Sequence, residues 1–299
     1  MAANPSTRSA VSLHGLALGD AFGSQFFALA NYRSFPDRTP PAGPWEWTDD
    51  TQMACCVHRV LADHGVIDQD RLAASFAARY EPHRGYGAAM VRMLPLVHGG
   101  GDWRALSAEL FEGRGSWGNG AAMRVAPLGA WFADDLTEVV RQAVLSAEVT
   151  HAHPEGVAGA VAVAVAAATV ATEPGLPAEG FLDRIAEHVP PGMVRDGIAE
   201  ARRLLAVDDP GLAARTLGNG SRISAQDTVP FTLWVTARER HDFEAAMWTT
   251  AAVGGDIDTT CAIVGGIIAS SGHADRLPAE WRRRCEPLPD WAGVPPLDR

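Results

Sequence analysis

The sequence predicts an all-α protein, a single compact multi-helix domain, and three observations predict it. Nearly every segment repeats its apolar residues at helical period rather than alternating them. Gly and Pro divide these segments, and most run to ten residues or more. No repeat, long linker or shift in composition sets one half apart from the other, so one domain over residues 1–299 is expected. A chain that is 47% hydrophobic can fill a large core at this length.

Residues 9–30 read as the opening helix. Gly15, Gly19 and Gly23 recur there on one face, which permits close contact with another helix. Asp20 sits within this Gly-interrupted helix and reads as structural, a cap or a pairing residue. Pro36, Pro40, Pro41, Gly43 and Pro44 make 31–44 a loop. A loop-to-helix junction follows at Trp47-Thr48-Asp49-Asp50-Thr51-Gln52, where Asp49 and Gln52 have capping-box spacing. Helices are predicted at 52–64, 69–80, 86–98 and 103–112. The next stretch, Gly113-Arg114-Gly115-Ser116-Trp117-Gly118, matches a dinucleotide fingerprint in form. That fingerprint must follow a strand, and residues 105–111 are helical in pattern. A Gly-rich loop that opens a helix can still hold an anion on its backbone N–H groups.

Helices at 121–133 and 136–149 lead to Thr150-His151-Ala152-His153. The run from Gly156 to Thr172 is the least polar of the chain. It falls short of the ~20 apolar residues of a membrane-spanning helix. Its Ala, Gly and Val content reads instead as a central helix, packed closely by its neighbours. Further helices are predicted at 178–188, 194–206, 210–217, 226–237 and 242–252. Residues 261–269 read as a buried helix and 287–299 as a Pro-rich, irregular tail.

The net charge of -11 argues against binding nucleic acid or an anionic membrane through bulk electrostatics. The cysteines, Cys55, Cys56, Cys261 and Cys285, form no C-x-x-C pair and read as reduced thiols. Reduced thiols suit the cytoplasm, and no targeting segment is evident in the sequence.

The richest stretch for chemistry is Gly254-Gly255-Asp256-Ile257-Asp258-Thr259-Thr260. A helix N-terminus there needs one capping oxygen. Two carboxylates and two hydroxyls exceed that need and are the ligand types of a hard cation. The junction at Thr48-Asp49-Asp50 repeats the same composition.

Five motifs occur in order: Gly19-Asp20-Ala21-Phe22-Gly23, Trp47-Thr48-Asp49-Asp50-Thr51, Gly118-Asn119-Gly120-Ala121-Ala122-Met123-Arg124, Thr150-His151-Ala152-His153 and Gly254-Gly255-Asp256-Ile257-Asp258-Thr259. Together they resemble the ADP-ribosylglycohydrolase family over about residues 10–272. The resemblance implies an all-α fold with two Mg2+ or Mn2+ ions in a central cleft formed by loops at helix ends. It implies hydrolysis of the glycosidic bond between ADP-ribose and an acceptor, with ADP-ribose or an ADP-ribosylated protein or small molecule as partner. Carried over by position, it makes Thr48, Asp49, Asp50, Asp256, Asp258 and Thr259 the metal ligands. Asp49, Asp50 or Asp256 would accept a proton as water attacks the anomeric carbon. Gly115, Ser116, Trp117, Gly118, Asn119 and Gly120 would lie near the pyrophosphate and distal ribose, and His151 beside the bound ADP-ribose.

The chain departs from the family pattern twice. Many members carry a Glu four residues after the last Gly of the first motif; here that position is Phe27. Nitrogenase-regulating members are expected to have an acid three residues before the Asn of G-N-G, where this chain has Ser116. Phe27 motivates the alternative of a non-catalytic ADP-ribose-binding protein on the same scaffold.

Overall fold

The structure is a computed structural model and describes residues 4–297; the last two residues of the expected tail lie outside the described residues. The described residues form fifteen α-helices and no strands. In order these are α1 (Pro5–Ser24), α2 (Asp49–His64), α3 (Gln69–Arg79), α4 (Ala88–His98), α5 (Trp103–Gly113), α6 (Ala126–Trp131), α7 (Leu136–Glu148) and α8 (Pro154–Thr172). The second half holds α9 (Ala178–His188), α10 (Met193–Arg203), α11 (Pro210–Leu217), α12 (Ala225–Glu239), α13 (Phe243–Ala252), α14 (Ile257–Ala269) and α15 (Ala279–Arg284).

The Ala/Val helix α8 is central, as its composition predicts. Its residues from Ala158 to Val170 are buried against α6, α7, α9, α12 and α14. By length and apolar content α8 could cross a membrane, and here it is the packed centre of the helical core. Small side chains let its neighbours approach: a Cβ on Gly129 of α6 would fall 2.1 Å from the Ala164 carbonyl oxygen.

The tightest contact joins α1 to α14. A Cβ added at Gly19 would lie 2.1 Å from the Cys261 carbonyl oxygen, and one at Gly23 would lie 2.5 Å from that of Ile257. At Gly265 it would meet the Gly15 carbonyl oxygen at 2.4 Å. The every-fourth-residue glycines of α1 therefore face the start of α14, where backbone meets backbone. Next to this seam an aromatic cluster closes the core. Phe22 stacks on Trp281 at 4.4 Å and meets Phe26, Trp45 and Trp248 edge-on.

Several expectations are corrected. The opening helix ends at Ser24, and 3-10 turns carry the chain to Ser34. The segment expected as a helix over 121–133 begins as a 3-10 turn, Asn119–Ala121, and only 126–131 is α-helical. Gly120 and Pro127 limit what lies between. Asp49 and Gln52 make no capping box: the N-cap residue of α2 is Thr48, whose side chain makes no cap bond, and Gln52 Oε1 instead accepts from the Glu81 amide and the Tyr86 hydroxyl. The C-terminal region was read as irregular only from 287, and α15 escaped notice because it is a six-residue helix with one apolar anchor, Trp281. The following tail is tied to the domain. Trp45 N donates to the Arg284 carbonyl, Glu286 N donates to that of Trp45, and Trp47 Nε1 donates to that of Pro287.

The α1–α14 seam generates a stability prediction. Gly19→Ala should destabilise the fold by about 3 kcal/mol, because a methyl group must displace backbone rather than a flexible side chain. Urea denaturation measures this, and an unchanged midpoint would mean that the helices separate at no cost.

Candidate active site

Both acidic junctions sit at helix N-termini, α2 and α14, and α1 stands between them. At neither junction does the N-cap residue make a side-chain capping bond. The cap of α2 comes from another helix. Asp20 Oδ2 accepts the amides of Thr48 and Thr51 at 2.9 and 3.1 Å, and the Thr51 hydroxyl at 2.6 Å. The structural reading of Asp20 therefore holds. Its carboxyl also joins the acidic cluster, which no local pattern around Asp20 signals.

Carboxylate oxygens of Asp20, Asp50 and Asp258 all lie within 4.8 Å of one another, from three helices and from positions up to 238 residues apart. Thr48 Oγ1 lies 2.9 Å from Asp20 Oδ1 and 3.0 Å from Asp50 Oδ2, so a single hydroxyl hydrogen serves two carboxylates. Asp50 Oδ1 is buried with no partner at all. Asp49 is half-buried at the edge, beside the Gly85 backbone. Asp256 Oδ2 accepts from Asn119 Nδ2 at 2.7 Å. Thr259 is buried, and its amide donates to Asp258 Oδ1.

No cation offsets these charges: among the described residues, no ion pair includes any of the five Asp side chains. Burial is therefore the main force on the protons of Asp20, Asp49, Asp50 and Asp258. It pushes Asp20 up to about 6 and Asp49 to about 7, where the charge of Asp20 adds to the effect. Asp50 and Asp258 rise well above the usual carboxylate range, first through burial and then through neighbouring carboxylates. An all-oxygen donor set, an unpartnered buried oxygen and carboxyls forced towards the neutral form fit a site for hard divalent cations.

The Gly-rich loop adjoins the cluster. Asn119, expected near the ligand, is buried and bridges Asp256 and the Thr228 hydroxyl through one amide nitrogen. It thus fastens the loop to the acidic junction at α14. Ser116 is buried, and its hydroxyl accepts from the Gly118 amide at 3.1 Å. Gly115 has a left-handed backbone (φ 73°), and its Cβ position is filled by the backbone of His153. Trp117 is half-buried and packs on Phe111 at 4.7 Å and on His153 at 5.4 Å. Trp45 and Trp47 are buried packing residues.

His151 lies beneath the loop. A Cβ on Gly118 would come 3.1 Å from its Nε2, and one on Gly120 would come 2.8 Å from its Cε1. Burial, then the charge of Arg124, pushes its pKa down to about 3, so the ring is neutral. Thr150 Oγ1 accepts from Arg124 and lies 2.7 Å from His151 Nδ1. The Thr150 hydroxyl thus links the Arg124 guanidinium to the His151 ring.

The wall opposite is the 218–225 loop. Asn219 takes the Asp256 amide on its carbonyl, and Ala225 N donates to the Trp117 carbonyl. A Cβ on Gly255 would fall 2.2 Å from the Asn219 carbonyl oxygen. Gly255 therefore lets the backbone before α14 lie directly against this loop. Thr228 and Asn219 carry no sequence signal, because each acts through hydrogen bonds to residues more than 30 positions away. Glu46 is exposed, and Phe27 is 58% exposed on the 3-10 turn after α1. A cleft of ≈ 730 Å³ opens on the outer side of the 218–222 loop, and none of the clustered acids lines it.

Comparison with known proteins follows the same lines. The ADP-ribosylglycohydrolase family model matches residues 1–294. ADP-ribosylhydrolase ARH3 of Gallus gallus is 28% identical, covering 94% of this chain and 90% of that protein. The Homo sapiens ARH3 is also 28% identical, over 92% of this chain and 88% of its own length. ADP-ribosylarginine hydrolase Tri1 of Pseudomonas putida is 30% identical over 50% of this chain and 43% of that protein. A solved structure titled "ADP-ribosylglycohydrolase-related protein complex" superposes with a TM-score of 0.65 at 24% identity, covering 97% of this chain and 96% of that one. That likeness shows the fold.

The raised carboxyls make stability depend on pH with a definite sign. Unfolded, these groups ionise near about pH 4; folded, they keep protons to higher pH. Their contribution to stability is therefore present below the unfolded value and lost as pH rises through the folded one. Neutral buried His151 and His58 oppose this trend only below about pH 6.5, the ordinary histidine value. In chelator-treated protein, Tm should fall between about pH 6.5 and pH 7.5, as pH passes the folded value of about 7 for Asp49. Asp50→Asn should flatten that fall and stabilise the chelated protein by about 1–3 kcal/mol at the upper end. A Tm that rises across this window would contradict the uncompensated cluster.

Proposed function

The chain belongs to the ADP-ribosylglycohydrolase family, and from that premise we propose that it hydrolyses the glycosidic bond between ADP-ribose and an acceptor, using two divalent cations, Mg2+ or Mn2+. One observation carries the reading: carboxylates from two separate motifs, joined by Asp20, converge without any protein cation and are tied through Asn119 to a Gly-rich loop. Thr48, Asp49, Asp50, Asp256, Asp258 and Thr259 would hold the cations, with Asp20 fixing the first three from behind. Bound there, divalent cations supply charge for the distal ribose hydroxyls and acidify a water.

The remaining steps belong to the side chains and backbone of the protein. One of Asp49, Asp50 and Asp256 accepts the proton of the attacking water as positive charge develops on the ribose. The Gly-rich loop, Gly115 to Gly120, holds the diphosphate, and this remote binding orients the reacting sugar. Neutral His151 supports the loop from below without adding a charge. The names of the relatives, ADP-ribosylhydrolase and ADP-ribosylarginine hydrolase, support ADP-ribosylated proteins or small molecules as the substrate class. The reading includes a reducing compartment such as the cytoplasm, supported by four free cysteines, three of them buried.

A second reading rests on Phe27. An exposed aromatic residue stands where many family members carry an acid, which favours a protein that binds ADP-ribose without turnover.

An activity panel separates the two. ADP-ribosyl-arginine, ADP-ribosyl-serine and poly-ADP-ribose are incubated with Mg2+ or Mn2+, and release of ADP-ribose is scored. Turnover of any one supports hydrolysis; tight ADP-ribose binding with no release supports the second reading. Asp258→Asn should lose cation binding by calorimetry, and activity with it, while its helical circular dichroism persists. Unchanged activity in the metal-replete mutant would remove Asp258 from the site.

A further inference from the structure

Arg124 is fully buried at the end of the Gly-Asn-Gly motif, and no carboxylate among the described residues pairs with it. Arg8, also buried, shows the ordinary solution: Asp134 takes both of its terminal nitrogens at 3.1 and 2.6 Å. Arg124 has only neutral acceptors. Nη1 donates to the Gly120 carbonyl at 3.1 Å and approaches Met53 Sδ at 3.9 Å. Nη2 donates to the Ser146 carbonyl at 2.8 Å and to the Thr150 hydroxyl at 2.9 Å. The guanidinium lies over the Phe76 ring at 4.6 Å, and Nε has no partner.

A buried charge without a counter-charge is costly, and proteins rarely keep one that has no use. The Ser146 carbonyl lies in the last turn of α7, where the helix dipole gives partial compensation. The other contacts lead to one place. Arg124 holds Gly120 directly, and through Thr150 it orients His151, whose ring underlies Gly118 and Gly120. Its charge therefore sits directly against the Gly-rich loop.

We propose that Arg124 is the counter-charge reserved for the diphosphate: the anion on the Gly-rich loop completes a charge pair that the protein leaves half made. Arg124 is a positioning residue, which acts through the loop and touches no substrate. The inference rests on the functional reading above, which puts the diphosphate on that loop. Burial pushes Arg124 down to about 9, so the guanidinium is still charged at neutral pH and available to the anion.

The test measures binding of three probes, ADP-ribose, inorganic pyrophosphate and adenosine, to wild type, Arg124→Met and Arg124→Lys by calorimetry. Arg124→Met should weaken ADP-ribose and pyrophosphate by about tenfold to hundredfold, the range for a lost charge-assisted interaction, and leave adenosine unchanged. Arg124→Lys should restore most of the loss. Equal losses for adenosine and the anions would mean that Arg124 only shapes the loop, and full anion affinity in Arg124→Met would leave its charge without a role; either overturns the inference. A second measurement needs no variant. In wild type labelled with 15N-arginine, pyrophosphate should shift the Arg124 Nε–H resonance and adenosine should not. An unmoved resonance at saturating pyrophosphate overturns the inference even if Arg124→Met fails to fold. Wild type that binds no ADP-ribose overturns the functional reading, and this inference with it.

Discussion

The contact between α1 and α14 is the constraint on which the rest depends. Gly15, Gly19 and Gly23 leave no room for a Cβ, so the two helices meet backbone to backbone. That separation decides where Asp20, one residue beyond Gly19, lies relative to Asp258 in the first turn of α14. It also lets Asp20 reach across and cap α2, which brings Asp50 into the same cluster. A wider seam would keep all three helices and lose their convergence. The site is thus a product of close packing, and the packing is possible because the residues between the acids are small.

Charge is distributed unusually around this seam. The acidic cluster has no protein cation, and Arg124 against the Gly-rich loop has no protein anion. Asn119 ties the Gly-rich loop to Asp256 and Thr228, and Arg124 ties it to the Gly120 carbonyl and the Thr150 hydroxyl. A substrate that carries a diphosphate, read together with divalent cations, has the complementary pattern: negative charge above Arg124 and positive charge among the carboxylates. The cost of keeping both charges buried is offset only when such a ligand is bound.

Much of this was legible in the chain. The helical period and the Ala/Val run identified the fold class and the central helix, because burial on all sides of α8 leaves no polar face to mislead the reading. The Thr48-Asp49-Asp50 and Asp256-Ile257-Asp258-Thr259 motifs stood out because they hold more oxygen ligands than a helix cap can use. The capping box at Asp49 and Gln52 has the right spacing but does not form: the Gln52 amide bonds the Thr48 carbonyl, and Gln52 Oε1 is taken by Glu81 and Tyr86. Asn119 stands out in the sequence only as part of the Gly-rich loop; its role as a strut depends on groups that lie 109 and 137 residues away in sequence.

By itself, then, the sequence determined which segments are helical, which face of α1 must meet another helix, and which acids are too many for capping. Those properties are local: period, side-chain size and the donor count of a helix end. Only the tertiary structure decided that Asp20 belongs with Asp50 and Asp258, that His151 is neutral beneath the loop, and that Arg124 is buried without a counter-charge. Proton affinity and charge balance depend on which groups lie within a few ångströms and on how far water is excluded, and helices remote in sequence set both.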